Sequence, residues 1–161
     1  DPRRLQVARQ IRAYEYLVKP FTGGDVLSIL KTFRSISRRT RTLIVDDSPT
    51  MRKIARKMLV GLGFDCSEAG DGAVALGMVK AAPPDLVLLD WNMPVLDGFS
   101  TLKALRAEDQ PSPLRIVMCT TNNDLDQLVA ALEAGADEYV MKPYDADILA
   151  DKLNAIGLLS S

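Results

Sequence analysis

The chain has 161 residues and a formal net charge of −1, and its 47% hydrophobic and 25% charged residues are typical of a globular domain with a short extra segment. It contains no histidine, which excludes Ser-His-Asp triads, histidine metal sites and a phosphohistidine formed within the chain. The short apolar runs predict no membrane span, the first residues lack a signal-peptide pattern, and the two cysteines, Cys66 and Cys119, favour a reducing cytoplasm over a disulfide framework.

The first elements along the chain form a segment separate from the rest. Residues 1–33 are predicted as helix, strand and helix, and residues 34–41 as a basic linker. Residues 1–41 carry ten Lys/Arg against three Asp/Glu, whereas residues 42–161 carry ten against eighteen. No recognition helix or aromatic platform accompanies the basic residues, so a nucleic-acid partner is not expected.

From residue 42 onward, short apolar runs alternate with helical periodicity five times. Four continuous apolar runs and one weaker candidate predict strands, at Leu43–Val45, Phe64–Ala69, Leu86–Leu89, Ile116–Cys119 and Tyr139–Met141. Ser48 and Asp145 are candidate N-caps, and Gly63 and Gly135 mark helix ends. The alternation predicts an α/β fold, with a parallel sheet covered by helices on both faces.

Polar side chains follow four of these strands. Asp46 and Asp47 follow the first strand, Asp90 the third, Thr120 the fourth and Lys142 the fifth. In parallel sheets of this kind, ligands bind at the carboxyl ends of the strands, so these side chains are expected to converge there. Clustered carboxylates repel and require a cation, and a set of oxygen ligands favours Mg²⁺.

This cluster predicts phosphoryl transfer. A carboxylate at such a metal can attack phosphorus and form an acyl phosphate, while a lysine and a hydroxyl hold the remaining oxygens. Asp90 is the best candidate nucleophile because it stands alone at the end of the central strand. The pair Asp46 and Asp47 suits the metal, although a purely structural role in capping the first helix is the alternative for these two residues.

The motifs together resemble a response regulator receiver domain of the CheY-like kind. They are Val45-Asp46-Asp47-Ser48, Leu89-Asp90-Trp91-Asn92-Met93-Pro94, Asp97-Gly98, Thr120 and Tyr139-Val140-Met141-Lys142-Pro143. The resemblance covers residues 42–158. It implies a flavodoxin-like, doubly wound sheet of five parallel strands in the order 2-1-3-4-5, which is the order known for CheY itself.

The resemblance also implies a role for each site residue. Asp90 accepts the phosphoryl group and Lys142 pairs with its oxygens. Mg²⁺ is bound by Asp47, by Asp46 mainly through water, by Asp90 and by the backbone carbonyl of Asn92. Thr120 and Tyr139 act as the switch, which changes the face formed by the fourth helix, fifth strand and fifth helix. Thr121 departs from the family pattern of a small residue, and this puts the dephosphorylation rate in question.

Residues 13–21 repeat residues 136–144 at an offset of 123, with a shared Lys-Pro pair. Residues 1–33 thus resemble the last third of a second receiver without an acceptor, as in a piece of a tandem-receiver protein. The alternative is that this basic segment packs on a receiver, in the same chain or swapped between chains, and gives a homodimer. A homodimer through the face of the fourth helix, fifth strand and fifth helix is a related expectation.

The expected function is that of a phosphoaccepting signalling domain and not of an enzyme. The donor would be a histidine kinase or a histidine phosphotransfer protein, and the output would be contact with a downstream protein. Two alternatives stand beside this expectation. One is a pseudo-receiver that binds partners without phosphorylation. The other is a haloacid-dehalogenase-like phosphatase, which lacks support because Ser48 stands where its second aspartate is required.

Overall fold

The computed structural model describes residues 39–159. Its five strands are β1 (Arg41–Val45), β2 (Asp65–Ala69), β3 (Leu86–Asp90), β4 (Arg115–Thr120) and β5 (Glu138–Met141). They alternate with helices α1 (Pro49–Gly61), α2 (Gly72–Ala81), α3 (Gly98–Ala107), α4 (Leu125–Glu133) and α5 (Ala146–Ala155). The predicted helix-strand-helix segment 1–33 and most of the linker lie outside the described residues.

The strands form one parallel sheet in the order β2-β1-β3-β4-β5, which confirms the predicted doubly wound arrangement. Arg41, at the end of the predicted linker, is the first residue of β1. Its backbone N–H donates to Asp85 Oδ2 at 2.8 Å and its guanidinium donates to the Pro83 carbonyl at 2.8 Å. These contacts hold the start of the central strand pair β1–β3 in register.

Alternate residues of the inner strands supply two apolar cores, one on each face of the sheet. Val87 and Leu89 of β3 face α2, α3 and α4, whereas Leu86 and Leu88 face α1 and α5. Both sets are buried, as expected for the interior strand of a parallel sheet covered on both sides. No helix within residues 39–159 has the length and apolarity required to cross a bilayer.

All five helices begin just after a strand, and each has a side-chain cap at its amino end. Ser48 Oγ accepts from the backbone N–H of Met51 at 3.3 Å, as the sequence predicted, and aspartates cap the other four helices in the same way, at Asp71, Asp97, Asp124 and Asp145. The capping aspartates account for much of the negative charge at this edge of the sheet. Asp126 and Asp147 lie in the first turns of α4 and α5, and Asp46, Asp47 and Asp90 belong to the candidate site.

At the opposite edge, Arg106 joins two loops. Its Nε donates to the Gly135 carbonyl at 2.8 Å, Nη1 to the Leu114 carbonyl at 2.7 Å and Nη2 to Asp137 Oδ2 at 2.8 Å. The same Asp137 oxygen accepts the backbone N–H of Ile116 at 2.8 Å. This one side chain therefore ties the end of α3 to the chain entering β4 and to the turn before β5.

We expect Arg106→Met to lower the free energy of unfolding by about 3 kcal/mol, because it leaves the Gly135 and Leu114 carbonyls without their charged donor and leaves Asp137 with the more distant guanidinium of Arg115, at 3.7 Å. Methionine keeps most of the apolar stem, so the loss reports on the polar head. Urea denaturation followed by Trp91 fluorescence measures it. Lys103→Met, one turn earlier on α3 with an exposed ammonium over the Phe99 ring, is the control and should cost less than about 1 kcal/mol. Equal losses in both variants would contradict the role given to Arg106.

Candidate functional site

The sheet ladder continues past the strand ends and fixes the chain that carries the site. The backbone N–H of Asp46 donates to the Ala69 carbonyl at 3.2 Å, and that of Lys142 donates to the Thr120 carbonyl at 2.8 Å. Asp90 is itself the last residue of β3, paired in register with Cys119. The side chains that the sequence predicted to converge therefore start from backbone held by neighbouring strands.

Three carboxylates and one ammonium meet at this edge. One carboxylate oxygen from each of Asp46, Asp47 and Asp90 lies within 4.8 Å of the others. Lys142 Nζ bridges two of them, at 2.9 Å from Asp46 Oδ2 and 3.0 Å from Asp90 Oδ1. Asp46 and Asp90 are each 7% exposed, whereas Asp47 is open to solvent.

The pKa values of Asp90 and Lys142 follow from burial and from the charges around them. Burial raises the pKa of Asp90; the Lys142 ammonium opposes that rise, and the neighbouring charges of Asp46 and Asp47 add to it. Burial alone would lower the pKa of Lys142, but hydrogen bonds to Asp46 and Asp90 outweigh burial and raise it. Lys142 thus stays an ammonium at neutral pH and is the positive counter-charge that the protein itself supplies.

The carboxylates fit a hard divalent cation such as Mg²⁺, because every candidate ligand atom is an oxygen. Both oxygens of Asp46 are already engaged, Oδ1 by the backbone N–H of Ser48 at 2.9 Å and Oδ2 by Lys142. Asp46 is therefore better suited to contact the cation through a water molecule than to bind it directly. The exposed carboxylate of Asp47 suits direct ligation. The carbonyl of Asn92 as a ligand stays a prediction.

The loop after β3 lies against the start of α3. The backbone N–H of Gly98 donates to the Trp91 carbonyl at 2.8 Å, and a Cβ on Gly98 would lie 2.7 Å from Trp91 Cα and closer still to the Asp90 carbonyl. Only glycine permits this approach. The rings of Trp91 and Phe99 stack at 5.5 Å between centroids. Loop and helix are thus packed together directly behind the candidate nucleophile.

The candidate switch residues lie on β4 and β5. Thr120 is 1% exposed and its Oγ1 accepts the backbone N–H of Asn122 at 3.0 Å. Tyr139 is half-buried against the core on the α2–α3–α4 side, with Lys152 Nζ 4.6 Å from its ring centroid. Thr121, the residue that departs from the family pattern, is exposed. Their roles in switching stay predictions.

Sequence reasoning missed two residues around the site, Arg52 and Tyr144, and the steric role of a third, Gly98. Arg52 donates to the Asp46 carbonyl at 2.7 Å, Gly98 allows the close approach of α3 to the end of β3, and Tyr144 lies beside Cys119 and the carboxylates. Arg52 carries no distinguishing signal, because charged residues are ordinary on the outer face of a helix. Gly98 belongs to the Asp97-Gly98 motif of the sequence, but the steric reason for glycine there depends on the folded contact with Trp91 and Asp90.

The two thiols should differ in reactivity. Burial raises the pKa of Cys119 to about 12, and burial also raises the pKa of the half-exposed Cys66, where the Arg56 charge opposes the rise. We expect iodoacetamide at pH 8 to modify Cys66 slowly and to leave Cys119 unmodified until urea is added. Intact-mass measurements with a Cys66→Ser control count the labels. A second label in the native protein would show that the β4 core opens.

Comparison with known proteins agrees with this geometry. Residues 42–154 match the model of the response regulator receiver domain. The chain is 39% identical over 122 residues to the chemotaxis protein CheY-3 of Vibrio cholerae serotype O1, covering 75% of this chain and 94% of that protein. It is 40% identical over 117 residues to the chemotaxis protein CheY of Pseudomonas aeruginosa, covering 72% and 94%.

Solved structures give the same result. The low-pH crystal structure of CheY4 from Vibrio cholerae superposes with a TM-score of 0.69 at 31% identity, covering 73% of this chain and 98% of that one. The chain belongs to the response regulator receiver domain family, with the CheY-like fold of two-component signalling proteins.

Proposed function

We propose that this protein accepts a phosphoryl group on Asp90, in a reaction that requires Mg²⁺. The observation that carries the proposal is the bridge made by Lys142 between Asp46 and Asp90, with the third carboxylate, Asp47, within 4.8 Å. Structural aspartates at this edge cap helices, whereas Asp90 accepts no helix N–H and instead pairs with a lysine held by the next strands. That arrangement suits a carboxylate that changes its charge during a reaction.

Each residue has one task in the transfer. An Asp90 oxygen attacks phosphorus, the bond from phosphorus to the donor nitrogen breaks, and that imidazole nitrogen keeps the electron pair. The Lys142 ammonium pairs with the Asp90 carboxylate before the transfer and with the phosphoryl oxygens after it. The Thr120 hydroxyl donates to one of the phosphoryl oxygens. Mg²⁺, when bound by Asp47, by Asp46 through water and by the Asn92 carbonyl, would neutralise charge on the carboxylates and the transferred group.

The donor we propose is another molecule, because residues 1–161 contain no histidine. We propose a histidine kinase or a histidine phosphotransfer protein in the cytoplasm, where the two free cysteines would stay reduced. No catalytic role beyond accepting and releasing the phosphoryl group is proposed. The domain that does this spans residues 42–158, which follow the basic linker 34–41 and the receiver-like segment 1–33.

The output we propose is a change of the α4–β5–α5 face, which is offered to a downstream protein. Movement of Thr120 toward the phosphoryl group would free space into which Tyr139 turns. Leu125, Val129 and Leu132 of α4 are 71%, 42% and 42% exposed and follow helical spacing, so this face can also support a homodimer. If phosphorylation raises the molar mass in solution and Leu125→Glu abolishes that rise, the result would support a dimer through this face. The alternative dimer, formed by swapping the segment 1–33 between chains, concerns residues outside 39–159.

The test uses the whole chain, Mg²⁺ and acetyl phosphate as a small donor. The intact mass should increase by one phosphoryl group, and a chelator of divalent cations should prevent the increase. No label from acetyl phosphate or from a phosphorylated histidine donor would show that the chain is a pseudo-receiver. Repeated turnover of unrelated phosphoesters would instead indicate a phosphatase.

A further inference from the structure

Arg52 contacts the site through the main chain. It lies in the first turn of α1 with 19% of its side chain exposed, and its Nη1 donates to the backbone carbonyl of Asp46 at 2.7 Å. Its Nε donates to Glu68 Oε1 at 3.2 Å. The other oxygen of Glu68 accepts from Arg56 Nε at 2.7 Å. Arg52 therefore connects the β1–α1 loop to the edge strand β2 without touching any carboxylate of the site.

The carbonyl that Arg52 holds belongs to the peptide that joins Asp46 to Asp47. Every other polar group of Asp46 is fixed as well, since its N–H donates to Ala69, Oδ1 accepts from Ser48 and Oδ2 accepts from Lys142. The peptide is planar, so fixing its carbonyl also fixes the direction of the Asp47 N–H and of the chain that follows. The plane of the Asp46–Asp47 peptide therefore orients Asp47, whose exposed carboxylate is the one best suited to bind the cation directly.

The guanidinium suits this task better than an ammonium would. Its rigid fork donates to two acceptors at set angles, here a carbonyl and a carboxylate, whereas a lysine presents a single rotating centre. Glu68, which Arg56 shares, offsets only part of the charge of Arg52. The contact of Arg52 with the site is a hydrogen bond to the Asp46 carbonyl and not an ion pair with an aspartate. Groups that orient metal ligands in this way commonly affect metal affinity about 10- to 100-fold.

We infer that Arg52 is a positioning residue for cation binding, which acts by fixing the Asp46–Asp47 peptide so that the Asp47 carboxylate is preset toward the site. The inference rests on the proposed Mg²⁺ site, and it assigns a function to the ion pair between Arg52 and Glu68 that a stability role alone would not require.

The test is a Mg²⁺ titration of the whole chain followed by fluorescence of Trp91, the one tryptophan of the sequence and the neighbour of Asp90. Arg52→Ala should raise the Mg²⁺ dissociation constant about tenfold. Arg52→Lys should restore only part of this loss, and Glu68→Gln should give a smaller increase. Arg56→Ala is the matched control, because Arg56 pairs with the same Glu68 but does not reach Asp46; its dissociation constant should stay within about twofold of wild type.

A second measurement does not depend on the metal. Amide hydrogen exchange at Asp47 should be faster in Arg52→Ala than in wild type. The two proteins are compared without Mg²⁺ and under conditions in which they are equally stable. Unchanged exchange together with an unchanged dissociation constant would overturn the inference, even if Asp90 is phosphorylated normally. If wild type bound no Mg²⁺, the proposed function would fail, and exchange at Asp47 alone would decide whether Arg52 orients the peptide.

Discussion

Asp90→Asn should gain no phosphoryl group from acetyl phosphate under conditions in which the wild-type chain is labelled to completion. The amide is nearly isosteric with the carboxylate but is a far weaker nucleophile, so the P–O bond cannot form. Asp46 and Asp47 remain in the variant and are expected not to substitute, because Asp46 is held by Ser48 and Lys142 and Asp47 is the proposed ligand of the cation. Intact mass detects the difference directly.

The same variant should fold at least as stably as wild type at pH 7. Burial and the charges of Asp46 and Asp47 raise the pKa of Asp90, which means that the folded state disfavours the ionised form. Removing that charge relieves the cost, while Lys142 keeps its bond to Asp46. The stabilisation should shrink as the pH falls toward 3.8, the ordinary value for aspartate, because the wild-type group then becomes protonated too.

A matched control separates chemistry from general loss of negative charge. Asp109→Asn removes a carboxylate from an exposed loop position, and it should be labelled like wild type. Labelling of Asp90→Asn at the wild-type level would place the acceptor elsewhere and would refute the proposed site. A large drop in its melting temperature would instead contradict the account of the Asp90 pKa.

Gly98→Ala should both destabilise the fold and slow labelling of Asp90. The added methyl group would collide with backbone, at 2.7 Å from Trp91 Cα and even closer to the Asp90 carbonyl, and backbone cannot rotate away as a side chain can. We expect a loss of about 3 kcal/mol in the free energy of unfolding, because α3 or the end of β3 must move. Urea denaturation and the time course of labelling measure the two effects.

Gly77→Ala is the control for this prediction. Gly77 lies within α2, where a Cβ would meet nothing within 4 Å, and its φ is not positive. Alanine there should stabilise the protein by about 0.5–1 kcal/mol through helix propensity and leave labelling unchanged. If Gly98→Ala behaved like Gly77→Ala, the contact between α3 and the end of β3 would be looser than described.

The strands and the convergence of the site residues could be predicted because their signals are local. Apolar runs of three or four residues, such as Leu86–Leu89, identify strands buried on both faces, and polar residues directly after them must lie at one edge of a parallel sheet. The order 2-1-3-4-5 came from the family resemblance and not from periodicity. The structure confirms that order.

Helix faces were predicted less well than strands. Helical spacing predicts Ile54 on the apolar face of α1, yet it is 44% exposed. The same spacing predicts an apolar face of α4, and of its members only Leu128 is buried, the others being Leu125, Val129 and Leu132. Periodicity shows that a helix is amphipathic, but how much of the apolar stripe the sheet covers depends on the packing of neighbouring elements. That information is not local.

Contacts between distant charged residues outside the predicted site could not be predicted. Arg106 and Asp137 are separated by 31 positions and Arg52 and Glu68 by 16, and nothing in the composition singles out these residues from other surface charges. Their partners include backbone carbonyls, which every residue possesses. Such pairs become visible only after the chain is folded.

The bridging lysine has a consequence for ion selectivity. Three carboxylates and one ammonium give the pocket a formal charge of −2, the charge that one divalent ion cancels. Na⁺ or K⁺ would leave half of it, so abundant cellular monovalent salts compete poorly for this pocket. Replacing Lys142 with methionine would deepen the charge to −3, and such a protein should hold a trivalent lanthanide more tightly than the wild-type chain does.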